Sequence, residues 1–371
     1  MPSLMLDYLA MQEEIGQWLE SMSKGLEPGR FRFCKESSYV PVKGHYGMVS
    51  TVFAMKIAWQ TGIWERWPDD TKRACIDFIR SFQERDGRFV DPWLSAEVKM
   101  GLKDYGRLIL GKYDRRFLQE RKERNILAET RQGAASLIMV GLKPDYPLPV
   151  YVRQTGEVAR YFDSFDWSKP WNTASQISKQ LMFLSVNKKY FADEPMCDLL
   201  IDEILKCLAN IRDDATGTWF TGAPSSADKI NGAMKIFTGL QWVDRPFPDC
   251  TRLLDFALRQ PFGTDGCGFL NRLFVVYQCR KVTPKEFRQN EISLLATNAL
   301  DRLQAFKKGD GGFSFYQDKA QSCFLGAPTS RGDAISDMHG TVMISWALAI
   351  IAELLGDSAP PGSQEWRVHK S

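Results

Sequence analysis

The side chains that could do chemistry are polar groups set at the openings of strongly apolar stretches. His45 and Tyr46 precede Val49–Trp59, Arg131 and Gln132 precede Leu137–Leu142, and Asn172, Gln176 and Lys179 open Ile177–Val186. Lys229, Asn231 and Lys235 open a fourth stretch, Asp265, Asn271 and Arg272 a fifth, and Asp337 and His339 a sixth. Burying such groups is costly unless they are paired or solvated. Their clustering at first turns therefore points to a wet mouth where the helix starts meet, and helix N-termini favour anions. Asn231 and Lys235 share a helix face and Lys229 starts the same turn, which makes a grip for an anion. Asn172 and Asn231 could equally be N-caps. An anionic substrate with an apolar tail would use the basic groups above and Phe53, Trp59, Phe183, Phe237, Phe274 and Trp346 deeper down, where aromatics also serve as plain core.

The elements that position these groups are six segments of one design, each a turn, a small-residue opening and an apolar run. Helices apolar nearly all round are buried ones. Between them lie amphipathic segments with a period near 3.6: Thr71–Glu84, Met196–Ile211, Asp249–Leu258 and Glu286–Phe306. Ala96–Leu110 and Pro149–Phe162 follow the period less cleanly. Three turns share an acidic residue and a glycine before an aromatic: Gln83–Phe89, Asp214–Phe220 and Lys308–Phe313. Glycine permits the positive φ and the aromatic packs back between helices. The expectation is an all-α, (α/α)6-type toroid of alternating inner and outer helices spanning 1–356 as one domain. The segment 357–371, with two prolines and no apolar period, is expected to be disordered.

Composition narrows the function classes. The 371 residues are 44% hydrophobic and 25% charged, and 48 basic against 45 acidic residues leave a net charge of +3. That excludes polyanion binding by bulk charge, so no nucleic-acid partner is expected. The basic stretch Arg107–Arg124 is interspersed with Asp114, Glu120 and Glu123 and reads as a solvated face. No uninterrupted apolar run approaches the roughly 20 residues of a membrane span. Met1 to Gly16 carries Asp7, Glu13 and Glu14 ahead of any basic residue, unlike a secretory leader. The expected location is the cytoplasm. Eight scattered cysteines without a CxxC pair read as reduced and mostly buried. Only three histidines are present, His45, His339 and His369, the last in a polar tail, and that scarcity excludes a site built on three or more imidazoles.

The turns and the stretches Gly217–Gly239 and Gly311–Leu354 resemble the superfamily of terpenoid cyclases and protein prenyltransferase β-subunits. The resemblance covers about two thirds of the chain as a fold-level pattern. It implies an α/α toroid and an isoprenoid substrate. It also implies a zinc site: Asp265 and Cys267, with His339 72 positions after the cysteine, resemble that family's ligands, which leave a fourth position for a thiol or water. The chain departs from the family at Phe262, where a diphosphate-gripping lysine is usual, and at Gly268, where an aromatic hydroxyl is. Arg259 does match a basic position. The D-x-D-D and D-D-x-x-D runs of terpenoid cyclases are absent. Prenyltransferases also imply a partner subunit.

The leading expectation is an enzyme cyclising an isoprenoid or transferring a prenyl group from its diphosphate. Asp265, Asp337, His339 and Tyr46 are its candidate catalytic residues, with His45, Asn172, Gln176, Lys229, Asn231, Lys235 and Arg272 binding substrate. A zinc ion on Asp265, Cys267 and His339 is its expected cofactor. A second reading is a toroid enzyme acting on an anionic saccharide as a lyase, epimerase or hydrolase. There His339 or Tyr46 is the base, Asn172, Lys229 and Arg272 neutralise the anion, and Trp167, Trp171 and Trp219 stack sugars. A simple two-carboxylate hydrolase fits poorly, because only Asp265 and Asp337 stand at helix openings. A non-catalytic binding scaffold is the third reading.

Overall fold

A helix apolar on nearly every face must be surrounded by other elements, and here the apolar runs of six inner helices surround one another among the described residues. The structure is a computed structural model that describes residues 7–35, 47–92, 115–191 and 194–371. In chain order these hold α1 (Tyr8–Ser23), α2 (Met48–Gln60), α3 (Ile63–Arg66), α4 (Asp69–Arg80), α5 (Arg115–Met139), α6 (Val158–Asp163) and α7 (Pro170–Phe191). They continue with α8 (Glu194–Ile211), α9 (Ser226–Leu240), α10 (Thr251–Leu258), α11 (Gly266–Val282), α12 (Gln289–Leu303) and α13 (Met338–Leu355). Each inner helix packs on the next, in the order α2, α5, α7, α9, α11 and α13, and α13 returns to α2. That closed ring is the expected toroid. Its outer layer is formed by α1, α4, α6, α8, α10 and α12. Among these, α4 packs on α2 and α5, α8 on α7, α10 on α11 and α12 on α13. The Tyr8 hydroxyl ties α1 to α13 by donating to Leu348 O at 3.1 Å.

Local chemistry sets the helix starts. Asp7 accepts from Leu9 N and Ala10 N to cap α1, Ser225 accepts from Asp228 N to cap α9, and Asp265 and Asp337 cap α11 and α13. The start of α2 is met from a distance, where Met48 N donates to Asp91 Oδ2 at 2.8 Å. The three recurrent turns form short antiparallel bridges, Gln83 with Phe89, Arg212 with Trp219 and Lys307 with Phe313. Gly87, Gly217 and Gly311 take positive φ, and Phe89, Trp219 and Phe313 are buried. A two-stranded hairpin, β1 (Cys323–Phe324) with β2 (Ala327–Pro328), lies in the loop before α13.

Several sequence expectations shift. The second inner helix begins at Arg115 and not near Arg131, because the charged stretch read as a solvated face supplies its first half. Burial begins at Ile126. Pro149–Phe162 shrinks to a 3-10 turn and the short α6, while Ala96–Leu110 lies outside the described residues. Contrary to the expectation from run length, α13 is long and apolar enough to cross a bilayer, yet 83% of it is buried inside the protein, as a ring helix must be.

The last residues differ most from the sequence reading of a disordered segment. Trp366 is buried against Tyr8, ring centroids 5.4 Å apart. Arg367 N donates to Gln60 O at 2.8 Å at the end of α2, and its guanidinium lies over the Trp59 ring and pairs with Glu65. His369 sits on Trp346 with centroids 4.3 Å apart. Few apolar residues hold the segment, but a tryptophan, an arginine and backbone groups find partners across the C-terminal ends of the inner helices.

Candidate active site in the ring

Four cations from four consecutive inner helices face the middle of the ring: Lys56 on α2, Arg131 on α5, Lys179 on α7 and Lys235 on α9. Lys56, Arg131 and Lys179 are buried, and Lys235 is half-buried. No Asp or Glu side chain among the described residues pairs with any of them. Lys56 Nζ donates to Gln132 Oε1, Lys179 Nζ reaches Arg124 O at 3.5 Å, and Lys235 Nζ has no hydrogen-bond or ion-pair partner among the described residues. Arg131 Nη2 donates to Ser371 O at 2.6 Å and to Thr238 O at 3.4 Å, while its buried Nε is unsatisfied.

Burial and mutual repulsion favour the neutral amines. Burial first, then the charges of Arg131 and Lys235, bring Lys56 down to about 7, and Lys179 falls to about 7 for the same reasons with Arg124 added. Lys235 is lowered to about 8 by burial and by Arg131.

At the N-terminal end of the ring, His339 is held between Phe53 and Phe315, with centroids at 5.2 and 4.6 Å and rings within 7° and 14° of parallel. Phe324 of the hairpin meets it edge-on, and its Nδ1 lies 2.8 Å from Gln321 Oε1. Burial, with Lys235 second, pushes the imidazole down to about 3, so it is neutral at ordinary pH. Asp337 is structural in this arrangement. Its carboxylate accepts from Gly340 N, Phe315 N and Gln321 N at 2.8, 2.8 and 3.0 Å, which carries Phe315 and Gln321 to the imidazole. Burial raises its carboxyl to about 6 against those hydrogen bonds.

The remaining sequence candidates fall into separate places. Asp265 Oδ1 accepts from Gly268 N as the α11 cap, and burial pushes the Cys267 thiol up to about 12. Among the described residues no three His, Cys, Asp or Glu side chains form a metal-holding group. The residues present therefore do not fit the zinc ion that the resemblance implies. Asn231 accepts from Asn271 Nδ2 at 2.8 Å. Lys229 stands 3.9 Å over the Phe220 ring, Asn172 and Trp171 are exposed, and Gln176 is half-buried.

Arg272 requires a correction. It faces outwards and donates to Ala257 O and Leu258 O at the end of α10, beside a surface cavity of about 680 Å³. Its rotational position on α11 turns it from the mouth. Trp167 and Trp219 are also buried, against Phe162 and Phe237, so neither is free to stack a sugar. His45 and Tyr46 lie outside the described residues. The sequence reading missed Lys56, whose only signal was a lysine inside an apolar run, and the His369 floor.

No protein-family model matches the chain, and no curated protein does. Among solved structures, a protein from Actinoplanes aligns over 93% of this chain and 100% of its own at 17% identity, with a TM-score of 0.44. A GH76 alpha-mannanase from Bacteroides thetaiotaomicron aligns over 96% of each chain at 10% identity, with a TM-score of 0.41. Likeness of this size decides neither fold nor function; the closed ring of helices establishes the toroid.

Proposed function

We propose that the protein is a toroid enzyme acting on an anionic saccharide held in the ring. One observation carries this reading: four cations from α2, α5, α7 and α9 converge in the interior, Arg131 meets Ser371 O, and no Asp or Glu side chain among the described residues pairs with any of the four. An uncompensated cluster of this kind is costly without a negative ligand. Gln132 and Ser371 touch the cluster directly, and Lys235 acts on the His339 imidazole.

The isoprenoid reading has less support in the same geometry. Phe237 packs against Trp219 and Phe247, Phe274 against Trp346, and Phe183 is fully buried. These rings serve as core, and the C-terminal end of the ring, where an apolar tail would extend, is filled by residues 367–371, of which all but Val368 are polar. The saccharide reading rests on this interior and not on the mannanase alignment.

In such an enzyme Arg131 and Lys235 hold the anion. Lys56 and Lys179, near neutrality before the anion enters, gain protons as it binds and can give one up as general acid. Exposed Trp171 offers a face for a sugar ring. The test is a calorimetric binding panel of digalacturonate, hexose phosphates and farnesyl diphosphate on wild type and Lys235→Met. Binding of an anionic sugar, weakened at least about tenfold in the variant, is the expected result. Binding of farnesyl diphosphate with no anionic sugar bound would overturn the reading.

A further inference from the structure

The four cations occupy one arc of the ring, on α2, α5, α7 and α9. The other arc is neutral: α13 presents His339, its proton affinity lowered by burial, and α11 presents the Cys267 thiol, which burial keeps protonated. From the floor His369 is likewise kept neutral, by burial and then by Lys56 and Arg131. Arg124 adds a further positive charge near Lys179, and Glu123, the one carboxylate among the described residues that acts on any of the lysines, counts least among the influences on it.

Donor geometry follows the same asymmetry. Three amines are point donors approaching from separate walls, and Arg131 adds a planar fork whose Nε is buried and unsatisfied. Arg131 already meets Ser371 O, which leaves three amines, and a carboxylate with two oxygens and one charge reaches at most two of them. A phosphate monoester has three terminal oxygens and nearly two charges at neutral pH, so it offers one oxygen to each of the three amines and twice the charge of a carboxylate.

We propose, on the saccharide reading above, that the ligand group held by Lys56, Lys179 and Lys235 beside Arg131 is the phosphate monoester of a sugar and not a carboxylate. Lys56 and Lys179 are each about half protonated at neutral pH when the cavity holds no anion. A dianion between them favours their charged forms, so binding draws protons from solvent. About one proton is taken up per ligand at pH 7, from two half-filled amines.

The experiment is isothermal titration calorimetry of the full chain at pH 7 in two buffers of different ionisation enthalpy. The probes are mannose 6-phosphate, digalacturonate and inorganic phosphate, each also titrated into Lys235→Met, a half-exposed position where the fold should persist. Circular dichroism checks that it does. The expected result is binding of mannose 6-phosphate with net proton uptake, at least tenfold tighter than either other probe and weakened at least tenfold in the variant. Digalacturonate binding as tightly as the sugar phosphate would overturn the phosphate assignment while leaving the saccharide reading intact. Inorganic phosphate binding as tightly would overturn the sugar part of it, and sugar-phosphate binding without proton uptake would remove the lysine pair from the site. Binding of none of the three overturns the assignment, and farnesyl diphosphate binding in that case overturns the saccharide reading as well.

Discussion

Lys56 and Lys179 show how one residue type changes meaning with its surroundings. On the surface each would hold its proton to about pH 10; in the ring, burial and neighbouring cations bring both to about 7. The consequence for stability has a definite sign. Between pH 7 and 10 the unfolded chain binds more protons at these lysines than the native one, so their penalty is full below 7 and fades as pH rises. His369, also held neutral, acts in the same direction at lower pH. The melting temperature of wild type relative to Lys56→Met, a comparison that cancels the opposite effect of the buried Glu129 carboxyl, should therefore rise from pH 6 to 8.5 in scanning calorimetry without added anion. A flat or falling profile would mean that the amines are already compensated. Phosphate esters should flatten the rise by restoring the charged forms.

At the scale of elements, close approach between inner helices is what lets six of them share one ring. The most extensive pairing is α7 with α9. Gly239 makes it possible, because a Cβ there would stand 2.8 Å from Ser178 Cα, and Gly232 does the same against Pro170 two turns earlier. Gly239→Val should cost about 1–3 kcal/mol in urea denaturation, the usual range for forcing extra volume into a packed site. A cost near zero would show that α9 can shift without loss. The loop before α13 depends on Asp337 in a comparable way. Replacing it by Ala leaves three backbone N–H groups without their acceptor, and should destabilise by several kcal/mol, at about 1–3 kcal/mol for a buried orphaned donor. The same melt should also release His339 from Phe315, seen as a histidine that titrates nearer its ordinary range by NMR.

For the molecule as a whole, the ring needs closure at one end. Residues 366–371 provide it, with Trp366 against Tyr8 and Ser371 O shared by Arg131 and Trp242. Trp366→Ala should cost about 3–5 kcal/mol, as for other buried tryptophans, and should weaken anion binding through loss of the floor. Loss of stability with undiminished binding would make the segment a strut and nothing more. Opening toward solvent is left to the N-terminal end, where Trp171 and the half-buried Lys235 stand.

The architecture was legible in the amino-acid sequence because it follows from local and periodic properties. Runs such as Val342–Leu355 have no polar face, so they had to be ringed by other helices. Glycines 87, 217 and 311 stand where a turn needs positive φ, and the aromatic after each had to pack inward. The site was legible only in part. Lys235 and Arg131 could be singled out as charges on inner helices, but Arg272 looked equivalent to them in sequence. Only the rotation of α11 in the ring turns it outward to the α10 carbonyls. Lys56 lay hidden in an apolar run, and the segment after Pro361 had too few apolar residues to signal order. Convergence of charges from four helices and docking of a polar segment are long-range facts, set by how the ring closes. Periodicity determines which face a helix buries, and only packing determines what that face meets.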